Sequence, residues 1–301
     1  MNSPLQTALL KTLAFHHVWR HAPTLPEWIN TLEFRTGEVS EETAAQNIFS
    51  LVEAGEVLSG EGRFAFPIDG LQLIRQNRDN EIWNSRKLRV ARQAAAWLAR
   101  LKAVRFVAVC NATALGHARD AGDIDFFVIV RAGNLMLTRA LAALPFQLLG
   151  RRPSGNKIRD AICLSYFISD SELDLAPHML IPEDPYFRYW FLSMVPLYDD
   201  GIARQFWEAN SAIRRSHPLA RKWEAPPDRA LPVRRLRLPQ IRWLERPARN
   251  IQMRAFPQTI KEMMNVDTRV IVNDNVLKFH VEDDRGEFRK RYEDICREKG
   301  I

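Results

Sequence analysis

The hydrophobic positions change period several times along the chain, and the changes divide it. Leu5, Leu9, Leu10, Leu13 and the Val18/Trp19 pair recur near helical spacing behind Ser3-Pro4, a cap and a first-turn proline, predicting a helix over 4–21. Thr24-Leu-Pro-Glu27 has the form of a capping box and predicts a second helix reaching Phe34. Ser40-Glu-Glu-Thr43 opens a third, to about Ala54, with Ala44, Ile48, Leu51 and Val52 as its apolar face. Two β-rich runs then flank Ser59-Gly60-Glu61-Gly62, a hairpin signal.

Three short helices and a hairpin have the layout of a winged helix, so residues 1–70 are expected to form a winged-helix-like module. Its third helix would be the DNA-reading one. That helix begins Ser40-Glu41-Glu42 and carries no Arg or Lys, whereas DNA-reading helices offer basic and amide groups. The pattern favours packing or interaction over DNA binding. Residues 71–102 then read as a long helix decorated by Arg75, Arg78, Arg86, Lys87, Arg89, Arg92 and Arg100, taken as a solvated face.

Beyond it the pattern becomes strand-like. Arg105 to Val130 reads as an apolar strand, a small-residue turn, a charged link and a second apolar strand. Leu135–Leu149 is apolar at helical spacing, ended or kinked at Pro145. Ala161–Ile168 is a third buried strand, Pro185–Tyr198 an aromatic-rich helix against the sheet, and Ile202–Ile213 another helix. Residues 71–200 form the expected central domain. The remainder, 201–301, is expected to be mostly helical and rich in Arg and Pro, with Trp223 and Trp243 among the arginines between 214 and 254. That mixture suits Arg packing on Trp in a wrapping segment better than a base-stacking surface. Two short β runs around Asn273-Asp274-Asn275 and an acidic-basic helix complete the chain.

Composition adds bounds. The 301 residues are 46% hydrophobic, which suits a folded protein of two or three domains. A net charge of +7 permits an anionic partner without requiring one. Cys110, Cys163 and Cys296 are too scattered for a disulfide framework or a cysteine metal motif. No run approaches the roughly 20 apolar residues of a membrane span, and the N-terminus lacks a cleavable leader pattern, so a cytoplasmic location is expected.

The chemistry concentrates at the second strand's start. Asp123 and Asp125 flank Ile124, so they share a face of the strand while Ile124 points into the core. Adjacent acids repel each other, and a divalent cation gives them a reason to be adjacent. The preceding turn, Cys110-Asn-Ala-Thr-Ala114, is small enough to let backbone approach an anion. Arg119 and Asp120 lie in the link over this position, and Arg151, Arg152 and Lys157 are placed to steer a polyanion. No P-loop, nucleophile elbow or dinucleotide fingerprint is present.

Strand, small polar turn, spacer and Asp-x-Asp together resemble the nucleotidyltransferase superfamily that includes DNA polymerase β, over roughly Leu88 to Leu175. Asn111-Ala112 and Gly122-Asp123-Ile124-Asp125 are spaced like that family's Gly-Ser and Asp-x-Asp motifs. The whole layout, with Leu-Lys-Phe-His at 277–280 and Asp-Asp-Arg at 283–285, is also similar to a group of bacterial nucleotidyltransferase-like proteins. The resemblance implies an α+β fold: a nucleotidyltransferase-like mixed sheet with flanking helices between the two terminal regions. It implies that Asp123 and Asp125 bind Mg²⁺ (or Mn²⁺) and that the turn Asn111, Ala112 and Thr113 handles nucleotide phosphates; Arg119, by its place in the link over the site, is the candidate to meet a triphosphate, against the plainer reading of a surface charge. The reaction implied passes a nucleoside monophosphate from an NTP, ATP being the expected one, to a hydroxyl acceptor. A third carboxylate completes the family's site, and Asp160 at the next strand's start is the first candidate, ahead of Asp170 and Glu172. This chain departs from the family in carrying Asn111-Ala112 for Gly-Ser, which leaves two further readings: a nucleotide sensor without turnover, and a nucleic-acid-binding regulator. His280 is read as structural.

Overall fold

The computed structural model describes residues 2–155, 158–223 and 242–301. Lys157 and residues 224–241 of the Arg/Pro-rich segment lie outside the described residues. The described chain is a mixed α+β protein built on one six-stranded sheet, with twelve α-helices. No helix is long and apolar enough to cross a membrane.

The N-terminal module follows its capping signals. Helix α1 spans Pro4–Val18 behind a reciprocal Ser3/Gln6 capping box, and α2 spans Leu25–Asn30 behind Thr24/Glu27. Helix α3 covers Glu41–Glu53, and strands β1 (Leu58–Gly60) and β2 (Arg63–Ala65) form the hairpin. Leu9, Leu13, Trp28, Ala44, Ile48 and Phe64 fill the small core between them. The second helix stops short of the expected Phe34.

Helix α4, Gly70–Leu98, joins this module to the sheet. Buried Asn77 stitches the junction: its Oδ1 accepts from Ala22 N–H, while its Nδ2 donates to the carbonyls of Arg20 and Leu73, each at 3.0 Å. One expected feature of α4 is wrong. Lys87 is fully buried rather than part of a solvated face.

The sheet runs β6-β3-β4-β5-β8-β7. Strands β3 (Val104–Val109) and β4 (Ile124–Val130) are antiparallel, and the short helix α5 (Asn111–Ala114) lies between them in sequence. Helix α6 (Leu135–Leu148) carries the chain over to β5 (Ile162–Ser169), which runs parallel to β4. The expected helix over 185–198 is instead α7 (Pro185–Ser193) followed by β6 (Val195–Asp199). Pro196 lacks a donor, and β6 can hold it because it is an edge strand. The expected helix over 202–213 breaks at Asn210 into α8 (Ala203–Ala209) and α9 (Ser211–Arg214). Helices α10 (Glu245–Ala255) and α11 (Gln258–Met263) follow.

The C-terminal region is not a helical appendage. Strands β7 (Val270–Val272) and β8 (Val276–Phe279) extend the central sheet, and α12 (Arg285–Lys299) returns to pack on α1. Both sheet faces are covered. One face carries Val107, Phe126, Val128 and Phe167; the other carries Phe106, Phe127, Tyr166, Trp190 and Phe206. Trp223 belongs to the second core, donating from Nε1 to the Phe191 carbonyl at 2.9 Å. Trp243 is exposed.

Truncating Asn77 to Ala strands a buried N–H and a buried carbonyl at the α4 junction. A loss of about 2–3 kcal/mol is expected in urea unfolding, whereas an independently hinged N-terminal module would leave the midpoint unchanged.

Candidate functional site

The site is assembled where β3 ends and β4 begins. Cys110 closes β3, its N–H donating to the Asp125 carbonyl at 3.1 Å. The chain must then turn sharply, and Asn111 takes φ +56°, the left-handed conformation that asparagine tolerates better than most residues. Its side chain hydrogen-bonds the Asp125 carboxylate, and Tyr186 Oη donates to its Oδ1 at 3.3 Å. Asn111 therefore turns the backbone and also aims an acid.

Asp123 and Asp125 point together while Ile124 is fully buried between them. Strand β5 places Cys163 beside Asp125 in parallel register. One ligand atom from each of Asp123, Asp125 and Cys163 lies within 4.8 Å of the others. Burial raises the Asp123 carboxyl above its usual range. Burial, then repulsion from Asp123, pushes Asp125 up to about 6. Burial and the two nearby carboxylates push the Cys163 thiol up as well. Burial disfavours the ionised form of all three, Asp123 adds repulsion at Asp125, and the Cys163 thiol hydrogen-bonds both carboxylates and partly offsets their rise.

Asp160 is not among them. Its carboxylate accepts from Lys87 Nζ at 2.9 Å and from Arg86 Nη2 at 3.0 Å. Lys87 also donates to the Gly122 carbonyl, and the Asp160 N–H donates to that same carbonyl at 3.0 Å. Asp160 thus braces the loop that leads into Asp123. Asp170 is elsewhere, at the far end of the strands, bonded to Arg105 and to the Ala132 N–H.

A cavity of about 680 Å³ opens over the two acids. Asn111, Ala112, Thr113 and Arg119 line it, so the structure brings together the residues expected to meet phosphates. Thr113 is buried, and Arg119 is on the exposed rim. Arg152 is not among the lining residues; it donates to the Ile162 carbonyl at 2.9 Å, and burial lowers its pKa.

Two contributions were not read from the sequence. Cys163 carried no charge signature, and only the parallel β4/β5 register puts it at the acids. The cavity is also lined by Lys278, His280, Asp283 and Arg285. That segment was singled out by its composition, but nothing local placed it in one cavity with Asp123 and Asp125.

The Asp125 environment has a measurable consequence. Its folded pKa lies above the unfolded value, so its ionised form costs stability above pH about 6 and that cost is relieved as pH falls toward 4. Asp125→Asn is expected to stabilise the metal-free protein by about 2 kcal/mol at neutral pH. The gap should close in acid, as read by thermal unfolding across pH; a constant gap would contradict the burial of this charge. Compared with known proteins, this chain matches no family model, no curated protein and no solved structure.

Proposed function

We propose that the protein is a metal-dependent nucleotidyltransferase, passing a nucleoside monophosphate from an NTP, with ATP as the first nucleotide to try, to a hydroxyl acceptor. The observation that carries this reading is the pair Asp123 and Asp125 facing one cavity beside a left-handed turn at Asn111, with a Cys163 ligand atom within 4.8 Å of both acids. The order of strand, turn, antiparallel strand, helix and parallel strand over β3 to β5 supports it.

Two carboxylates and a thiol at this spacing suit a divalent cation, because a cation favours the ionised carboxylates that burial, and at Asp125 the neighbouring Asp123, disfavour. Hard Mg²⁺ prefers oxygen ligands, while sulfur shifts preference toward softer ions, so Mn²⁺ fits this donor set better than Mg²⁺. When bound, the ion supplies charge neutralisation at phosphoryl oxygens. The chain's own residues do the positioning. Asn111 and Tyr186 orient the Asp125 carboxylate, and Lys87 with Asp160 holds the loop before Asp123. The turn Asn111–Thr113 offers close backbone approach to the phosphates, and Arg119 adds positive charge at the entrance.

A second reading, a nucleotide sensor without turnover, draws on Ala112 standing where the family has a serine and on Cys163 standing at the position of a third acid. It predicts metal-dependent nucleotide binding with no pyrophosphate release. A nucleic-acid regulator draws less support: Lys87 and Trp223 are buried, and α3 keeps its acidic face, with Glu41 paired to Arg221.

Purified protein with Mn²⁺ or Mg²⁺ and labelled NTPs should bind nucleotide and release pyrophosphate. Asp123→Asn and Asp125→Asn should each reduce transfer by at least about 100-fold, as expected when a ligand for transition-state charge is removed. Wild-type transfer in both variants would refute the reading. Cys163→Asp should move metal preference from Mn²⁺ toward Mg²⁺ in calorimetric titration; an unchanged preference would take Cys163 out of the ligand set.

A further inference from the structure

Strand β8 presents Lys278, which is 1% exposed and lines the same cavity as the two acids. It is held in register against β5 by the Tyr166↔Lys278 pairing. A buried lysine normally has a carboxylate partner. Here the nearby carboxylates are taken by Arg285, whose Nη1 donates to Asp184 at 2.9 Å and whose Nη2 donates to Asp283 at 2.6 Å. Arg285 also donates to the His178 carbonyl and to Thr268 Oγ1. Among the described residues, the Lys278 ammonium makes one hydrogen bond, to the Thr268 carbonyl at 2.6 Å. Tyr166 and Phe187 lie 5.8 Å from it on their ring faces. Lys278 is therefore enclosed by aromatic surface, one carbonyl and a neighbouring guanidinium.

We propose that Lys278 is the general base of the transfer reaction, taking the proton from the acceptor hydroxyl. The inference rests on the nucleotidyltransferase reading. As the acceptor O–H attacks the α-phosphorus, its proton passes to neutral Nζ. A new P–O bond forms, the bond to the β-phosphate bridging oxygen breaks, and pyrophosphate leaves. The ammonium so formed keeps its Thr268 hydrogen bond and the two ring faces.

The surroundings separate Lys278 from its competitors. Burial, then repulsion from Arg285, lowers Lys278 to about 7, partly offset by Asp283, Asp184 and Asp267. A lysine so tuned is half-neutral at physiological pH, where general-base efficiency is greatest. His280, just past the end of β8 and beside Ser165, is driven to about 3 by burial, then by Lys278 and Arg285. His178, bonded through Nδ1 to Tyr166 Oη at 2.5 Å, is lowered to about 4. Both are too weak as bases. Glu282, Asp284 and Glu287 rim this side of the cavity, which disfavours a phosphate tail there and leaves it to a neutral or cationic acceptor.

The test uses the full chain. A ¹³C-lysine NMR titration, with the Lys278 Cε resonance assigned by its loss in Lys278→Arg, should show a midpoint near 7. A midpoint at the ordinary lysine value near 10.4 overturns the proposal. In transfer assays, Lys278→Met should lower kcat by about 100-fold, leave the KM for nucleotide unchanged and abolish the acidic limb of the pH profile. Lys278→Arg, which keeps the charge but cannot accept a proton, should not rescue. Wild-type kcat and an intact limb in Lys278→Met overturn this proposal alone. Absence of transfer from the wild-type protein overturns the function and the base together. If Lys278→Met does not fold, the wild-type titration midpoint decides.

Discussion

The buried ammonium of Lys87 is the interaction on which the site depends. It enters from α4, reaches beneath two loops, and ties the Gly122 carbonyl to the Asp160 carboxylate. Those loops deliver the chain into β4 and β5, the strands that carry Asp123, Asp125 and Cys163. Two buried carboxylates side by side need a frame that does not yield. An ionic clamp reinforced by Arg86 on Asp160 and Asp120 supplies it. With the loop fixed, both carboxylates stay buried and Asp125 stays beside Asp123, so their pKa values are raised, which a cation can relieve.

The fold was legible where local rules act. The capping boxes at Ser3 and Thr24, the hairpin at 59–62 and the apolar runs of β3, β4 and β5 reflect short-range chemistry, and the structure follows them closely. Pro185–Tyr198 was misread because an aromatic run has no decisive period, and Pro196 looked like a helix end rather than an edge-strand residue. The pair Asp123/Asp125 was legible from alternation alone. Asp160 was noticed for its position but given the wrong partners, because sequence shows that an acid begins a strand and not that a lysine 73 residues earlier will meet it. Lys87 looked like surface for the same reason: a long basic helix hides the one cation that turns inward.

Long-range pairing accounts for the rest. The segment from Lys278 to Arg285 reaches the site only because β8 pairs with β5. Its charges then divide the work. Arg285 takes the nearby carboxylates and makes a rigid corner, which leaves Lys278 with no ion pair among the described residues. A lysine buried for stability alone would be costly in this setting, since its charged form is desolvated and repelled by the guanidinium beside it. Apolar packing against Tyr166 and Phe187 would be met equally well by a methionine.

The N-terminal module gains a different meaning from this arrangement. Trp19, just beyond α1, lies 5.2 Å from His117 after the Asn111 turn, 5.0 Å from Tyr186 on α7 and 5.4 Å from Phe288 on α12, between ring centroids. Four distant segments thus meet in one aromatic wall of the cavity, and Tyr186 reaches from that wall to Asn111 and, through it, to Asp125. The N-terminal module is therefore joined to the site by direct packing, while its third helix, α3, opens on Glu41 and Glu42. A module used in this way need not touch nucleic acid to matter to the chemistry. By seating Trp19 it sets the position of Tyr186, and Tyr186 sets the acid that most needs to be held.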